Sequence, residues 1–244
     1  MIRPLLLLSL LAAAAPVFGQ NGSELVKAEF RVFPVPNIDQ TGILYRPAPD
    51  REMRELRFRP GARSFDTYAY RGPPKLRFYR EDGLNEDGEQ QYRVVGQVDV
   101  NARKMLVFFA DNGADNDRSP EFSLLAVDDS ASAMPEDHVA FLNFTSIPFK
   151  CRFMDGNRTV QPGKNEPISV RQHLEDDVFI GLAVTNGDTH RVVLKNRWQF
   201  HPGNRHHVLL LPPKRSGSFR IRAYRLTEFV GEKPQFGENA SMAR

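Results

Sequence analysis

The sequence predicts an all-β protein of two tandem β-sandwich domains related by internal duplication. Three observations carry this: short strand-like runs cut by frequent turn residues, almost no window that could host a long helix, and the same order of segments in both halves. The 244 residues include 17 glycines and 18 prolines, a punctuation that suits sandwiches rather than βαβ units.

Along the chain the runs are of two kinds. "AEFRVF" from Ala28, "KLRFYR" from Lys75 and "SFRIRAY" from Ser218 alternate apolar with polar residues, as a half-buried strand does. "MLVFFA" from Met105 and "VLLLPP" from Val208 are wholly apolar, the pattern of a strand buried on both faces. Asp82-Gly83, Asp155-Gly156 and Asn186-Gly187-Asp188 supply turn chemistry between runs.

The two halves answer each other. Pro60-Gly61 and Pro162-Gly163 stand 102 residues apart, as do Leu76 and Val178. The Arg-Val-Val triplets at Arg93 and Arg191 are 98 apart, the aliphatic runs Leu106–Phe109 and Val208–Leu211 are 102 apart, and Phe122 matches Phe219 at 97. Small differences in turn length explain the drift, and the pattern predicts duplicated units of immunoglobulin-like size. The expected divisions are residues 27–127 for the first sandwich, 128–138 for a polar linker containing Pro135, 139–230 for the second sandwich, and 231–244 for an aperiodic tail.

Residues 1–19 read as a secretory leader: Arg3 is the positive start, Leu5 to Val17 the apolar stretch, and Gly19 a small residue near the cut. That stretch is short for a membrane span, and no later run approaches ~18 apolar residues. The expectation is a chain exported to the periplasm or beyond, with no transmembrane segment after cleavage. Cys151 is the single cysteine, so no disulfide can form within the chain, and its place in "PFKCRF" puts the thiol on the apolar face of a strand.

Charge is unevenly spread: residues 139–244 hold 16 Lys/Arg against 9 Asp/Glu, and residues 111–138 hold one Arg against 8 acids. The cations alternate with apolar residues, which describes the solvated face of a sheet. No nucleic-acid module is present, and nucleic acid is not expected as a partner.

Chemical candidates are few. His206 and His207 enter the run "RHHVLLLPPK", aligned with Lys104 and Met105. Neighbours on a strand face opposite ways, so the pair reads as a strand entry rather than a zinc site. Tyr68, Tyr70 and Tyr79 could form an exposed aromatic patch, and Trp198 could stack on a sugar ring, although alternation favours a core position for it. Asp111, Asp115 and Asp117 in "DNGADND" offer hard oxygen donors for calcium. The EF-hand spacing fails, with Gly113 in the third position and Phe122 where a bidentate glutamate belongs. No nucleophile elbow, zinc-protease helix or phosphate loop occurs. No catalytic residue and no cofactor are expected, calcium at the acidic loop aside.

In size, export, basicity and pairing of β domains the chain resembles the periplasmic pilus chaperones with two immunoglobulin-like domains, at the level of architecture. The basic pair with which such chaperones anchor a partner's C-terminus has no identified counterpart here. The leading expectation is a non-catalytic binding or envelope-assembly protein that engages a protein or polysaccharide of the cell envelope through sheet surfaces or an edge strand. The alternative is a carbohydrate-binding module or a β-sandwich glycan enzyme.

Overall fold

The computed structural model of the chain describes residues 25–36, 38–112, 120–186, 189–215 and 217–231. The leader at 1–19, most of the tail, Asp115 and Asp117 lie outside them. The described residues are almost entirely β, with one 3-10 turn at Arg171–His173 and no α-helix. No helix among them is long and apolar enough to cross a membrane.

Four sheets account for the strands. Strands β1 (Val26–Pro34), β4 (Tyr68–Gly72), β7 (Lys104–Asp111) and β8 (Phe122–Asp128) make one sheet in the order β4-β1-β7-β8. Strands β2 (Leu44–Tyr45), β3 (Arg54–Glu55), β5 (Lys75–Leu84) and β6 (Gln90–Asp99) make the second, ordered β3-β2-β5-β6. In the other half, β9 (His138–Asn143), β12 (Gly163–Lys164), β16 (Asn204–Leu211) and β17 (Arg222–Phe229) run β12-β9-β16-β17, with β13 (Ile168–Ser169) also paired to β9. Strands β10 (Phe149–Phe153), β11 (Gly156–Val160), β14 (Val178–Asn186) and β15 (Thr189–Trp198) complete the set as β11-β10-β14-β15.

The strand order is the same in both halves, including its rarer feature, a parallel pair. β1 runs parallel to β7, and β9 runs parallel to β16. Leu76 pairs with Val98 across the β5-β6 hairpin as Val178 pairs with Trp198 across β14-β15. Both hairpins carry a bulge at the Arg-Val-Val triplet, where Val95 and Val193 have no pairing partner and turn inward, each buried. The two Pro-Gly turns also correspond. Gly61 (φ 70°) and Gly163 (φ 86°) adopt the left-handed conformation. Gly61 donates its N–H to Pro34 at the end of β1, and Gly163 pairs with Asn143 at the end of β9.

Two details of the sequence alignment shift. Phe30 pairs with Met105 and faces the rings of Tyr45 and Phe78. Val139 pairs with His206, whose ring meets Phe200 in the second core. By facing, Met105 therefore corresponds to His206, an offset of one residue from the match made on apolar content alone. A strand buried on both faces carries no alternation to fix its register, and a one-residue slip exchanges every side chain between faces. Likewise Phe219 lies outside the strands and is exposed, while Ile221 occupies the buried position that Phe122 holds in the first half.

The sheets stack in four layers. Phe109 meets Phe78 at 4.9 Å between the first two sheets, and Phe141 meets Phe153 at 5.7 Å between the last two. The β1/β7 and β9/β16 sheets also pack against each other: Phe33 meets Tyr224 at 5.9 Å, Phe108 meets His207 at 5.3 Å, and Leu142, Leu209 and Leu211 join the first core. Met105–Ala110 and Arg205–Leu211 are buried throughout for this reason. Asp128 closes β8, Met134 is buried, and Asp137 is buried with its carboxylate accepting from Gly203 N–H at 2.8 Å.

One polar cluster sits at the seam. Arg63 and Arg205 both contact Asp129 and Glu228. Arg63 lies 2.6 Å from Glu228 and also pairs with Asp129, while Arg205 reaches Asp129 at 2.7 Å and Glu228 at 3.1 Å. The Arg205 side chain is 6% exposed. Two cations face two anions, so the charge is balanced where water is scarce, and each half contributes one of each sign. Removing one member strands the others. Arg205→Ala should destabilise the fold by ~3–5 kcal/mol in urea unfolding; a loss under ~1 kcal/mol would mean the cluster behaves as a surface pair.

Candidate binding face

Alternation along β10, β14 and β15 sorts two faces. Phe149, Cys151, Phe153, Ile180 and Leu182 point into the second core, and Lys150, Arg152, Phe179, Gly181, Val192 and Lys195 point away from it. Arg152, Gly181 and Lys195 are aligned across three strands, with Lys150, Ala183 and Val192 in the next row. Together with Asn157, Thr159 and His190 these residues line an open groove of about 560 Å³ that, among the described residues, includes no aspartate or glutamate. Lys150, Arg152 and Lys195 are exposed and make no ion pair among the described residues. Lys150 contacts Thr159 Oγ1 at 3.4 Å, and His190 Nδ1 lies 3.1 Å from Thr185 Oγ1.

The floor of this groove depends on Gly181. A Cβ there would lie 2.9 Å from Cε1 of Phe179, so the Phe179 ring covers the strand at the one residue that leaves room for it. The ring remains 37% exposed. An isolated glycine in "VFIGLAV" was the available sequence signal, because glycine inside a strand marks close approach.

The tyrosine and tryptophan candidates separate. Tyr68 is 1% exposed; its hydroxyl donates to Arg57 C=O at 2.9 Å and accepts from Arg57 N–H at 2.7 Å. Burial raises the pKa of Tyr68 and Tyr70 above the ordinary phenol value. Tyr70 is buried against Gly72 and donates to Pro73 C=O at 2.8 Å. Tyr70 and the half-buried Tyr79 do share a depression of about 350 Å³ with Arg46, Arg71, Lys75 and Arg77 on the outer side of the first half. Tyr68 is not part of it, so the three do not form one exposed patch. Trp198 is a core residue of the second half, with the Arg225 guanidinium 5.3 Å from its ring. The exposed ring of that region is Phe179, beside Val178, which pairs with Trp198. Asp111 ends β7 on the surface, and the rest of the proposed calcium set lies outside the described residues. Among the described residues no group of three or more His, Cys, Asp or Glu could hold a metal ion.

His206 and His207 face opposite ways. His206 Nδ1 lies 2.9 Å from Thr227 Oγ1, and its ring packs on Phe200 in the second core. His207 packs on Phe108 at the seam, with its Nδ1 buried and unpartnered. Burial, then Arg225 and His201, against a partial offset from Asp137, push His206 down to about 4. Burial, then Arg205, with Arg63 and His206 adding to it against Asp129, push His207 down to about 3. Both are neutral in the fold. Cys151 is 2% exposed, and burial pushes its thiol up to about 11, which disfavours the reactive thiolate.

No protein-family model matches this chain, and no curated protein resembles it at a significant level.

Two expectations follow from the buried titrating groups. An unfolded histidine titrates near ~6.5, so between that pH and about 4 the unfolded chain binds protons that folded His206 and His207 refuse. Their contribution is complete above pH ~6.5 and is lost on acidification, by up to ~1.4 kcal/mol per pH unit for each ring. His207→Leu should flatten the fall in urea midpoint between pH 6.5 and 4; an unchanged slope would assign the acid sensitivity to other groups. For Cys151, alkylation by iodoacetamide at neutral pH should require unfolding, and rapid labelling of the native chain would contradict its burial.

Proposed function

We propose that this chain is an exported, non-catalytic binding protein of the cell envelope, built from two duplicated β-sandwich units, and that it holds an anionic polymer on the outer face of the β10/β11/β14/β15 sheet. The observation that carries this reading is the groove itself: exposed Lys150, Arg152 and Lys195 line it without an acid among its described residues. Like charges gathered on one face raise the local concentration of an oppositely charged partner. The shared strand order, the parallel pairs β1/β7 and β9/β16, and the matching bulges support duplication.

A sheet face is favoured over an edge strand. Edge strand β15 carries Arg191, Lys195 and Arg197, and edge strand β17 carries Arg222 and Arg225. Such edges discourage the addition of another strand. The corresponding outer face of the first half differs: Tyr79 pairs with the middle valine of its Arg-Val-Val triplet as Ala183 does in the second half, so a large ring stands where the groove has a methyl group, and Lys75 sits 3.8 Å from Asp99.

The test is retention of the full chain on beads coated with an acidic polymer between ~0.01 and ~1 M salt, where the screening length falls from about 30 to about 3 Å. Binding should weaken steeply across that range and be abolished by the triple change Lys150→Glu, Arg152→Glu and Lys195→Glu. Equal retention of the triple variant would refute the assignment of this face. Export has its own check, since N-terminal sequencing of protein recovered from the envelope fraction should begin near residue 20 rather than at Met1.

A further inference from the structure

Resting on the reading of a basic binding groove, we infer that its occupant is a polysaccharide bearing carboxylate groups, a polyuronate, stacked on Phe179 with its carboxylates turned toward Arg152 and Lys195. A pyranose ring presents C–H groups on one face, and these pack against the face of an aromatic ring while the polar edge stays free for hydrogen bonds. Phe179 has the posture for this. Its ring lies over Gly181, whose missing Cβ opens the space, and its outer side is exposed.

The cations flank that ring. Arg152 and Lys195 pair across to Gly181 from either side, and strands lie ~4.8 Å apart, so a sugar seated over Phe179 and Gly181 has a cation on each hand. A guanidinium binds a carboxylate through two parallel hydrogen bonds, and an ammonium adds a point charge. Asn157 and Thr159 in the same groove offer a mixture of donors and acceptors for hydroxyl groups.

Other polyanions fit less well. A single-stranded nucleic acid is held by several aromatic rings that stack successive bases, whereas among the described residues Phe179 is the one Phe, Tyr or Trp lining this groove. An acidic peptide gains most of its affinity from added strand pairing or deep side-chain pockets. The floor here is β14, bonded to a strand on either side from Ile180 to Ala183.

The experiment compares binding of polygalacturonate, polyglutamate, a single-stranded polynucleotide and neutral dextran to the full chain by affinity electrophoresis at low salt. Two variants that keep every charge are included. Phe179→Ala removes the ring, and Gly181→Ala places a methyl against it and displaces it. Both residues face solvent, and unchanged unfolding curves verify the fold. The expected result is preferential binding of polygalacturonate, weakened about three- to tenfold by either variant, with polyglutamate binding unaffected by both. If polyglutamate or the polynucleotide binds as tightly as polygalacturonate, or if neither variant weakens polygalacturonate, the stacked polyuronate is wrong while the basic groove stands. If no polyanion binds in a salt-dependent way, or if the Lys150, Arg152 and Lys195 charge reversals change nothing, both fail.

Discussion

Water touches neither face of the central strands β7 and β16 over Met105–Ala110 and Arg205–Leu211, and much of the architecture follows from that. A strand covered on both sides is apolar at nearly every position; β7 meets this demand from Met105 to Ala110, β16 from Val208 to Leu211 and β9 from Val139 to Leu142. The outer sheets cover one side of each, and the seam between halves covers the other. Polar atoms entering that seam need partners there, since an unpaired buried charge is costly. The four-membered cluster of Arg63, Asp129, Arg205 and Glu228 meets that requirement with balanced charge. His207 enters the same seam as a neutral ring because no anion offsets its burial strongly enough to charge it.

The same constraint explains what could be read from residues alone. Alternating runs such as Lys75–Arg80 and Phe149–Phe153 declared both their strand character and their buried side. The matching strand order of the two halves was legible in the Pro-Gly turns and the Arg-Val-Val triplets because each answers to local geometry, a left-handed glycine in one case and a bulge in the other. The apolar runs lacked such a marker, and their register came out one residue off. The packing of one half on the other was illegible for a different reason. Continuous apolar residues in β7 and β16 say that two faces are covered, without saying by what.

The candidate groove was half visible. Lys150 and Arg152 stood out as the solvated partners of a core stripe, which describes most sheet faces. What distinguishes this face is the absence of acids among its described residues, which come from four separate strands, together with Gly181 beneath Phe179. Neither property belongs to any one window of sequence. Attention fell on Trp198 and the tyrosines because large aromatics are conspicuous, yet burial takes Trp198, Tyr68 and Tyr70 into the cores. The ring that stays in view in this groove is Phe179, packed over a residue with no side chain.

The order of layers has a geometric consequence. Because the inner sheets meet face to face, the outer sheets look away from each other at opposite ends of the molecule. Three intersheet gaps of ~10 Å put about 30 Å of packed protein between them. The Phe179 groove and the depression at Tyr70 and Tyr79 therefore serve separate neighbourhoods. A flexible chain seated in one would have to wrap around the body to enter the other, whereas two chains could be spanned at once.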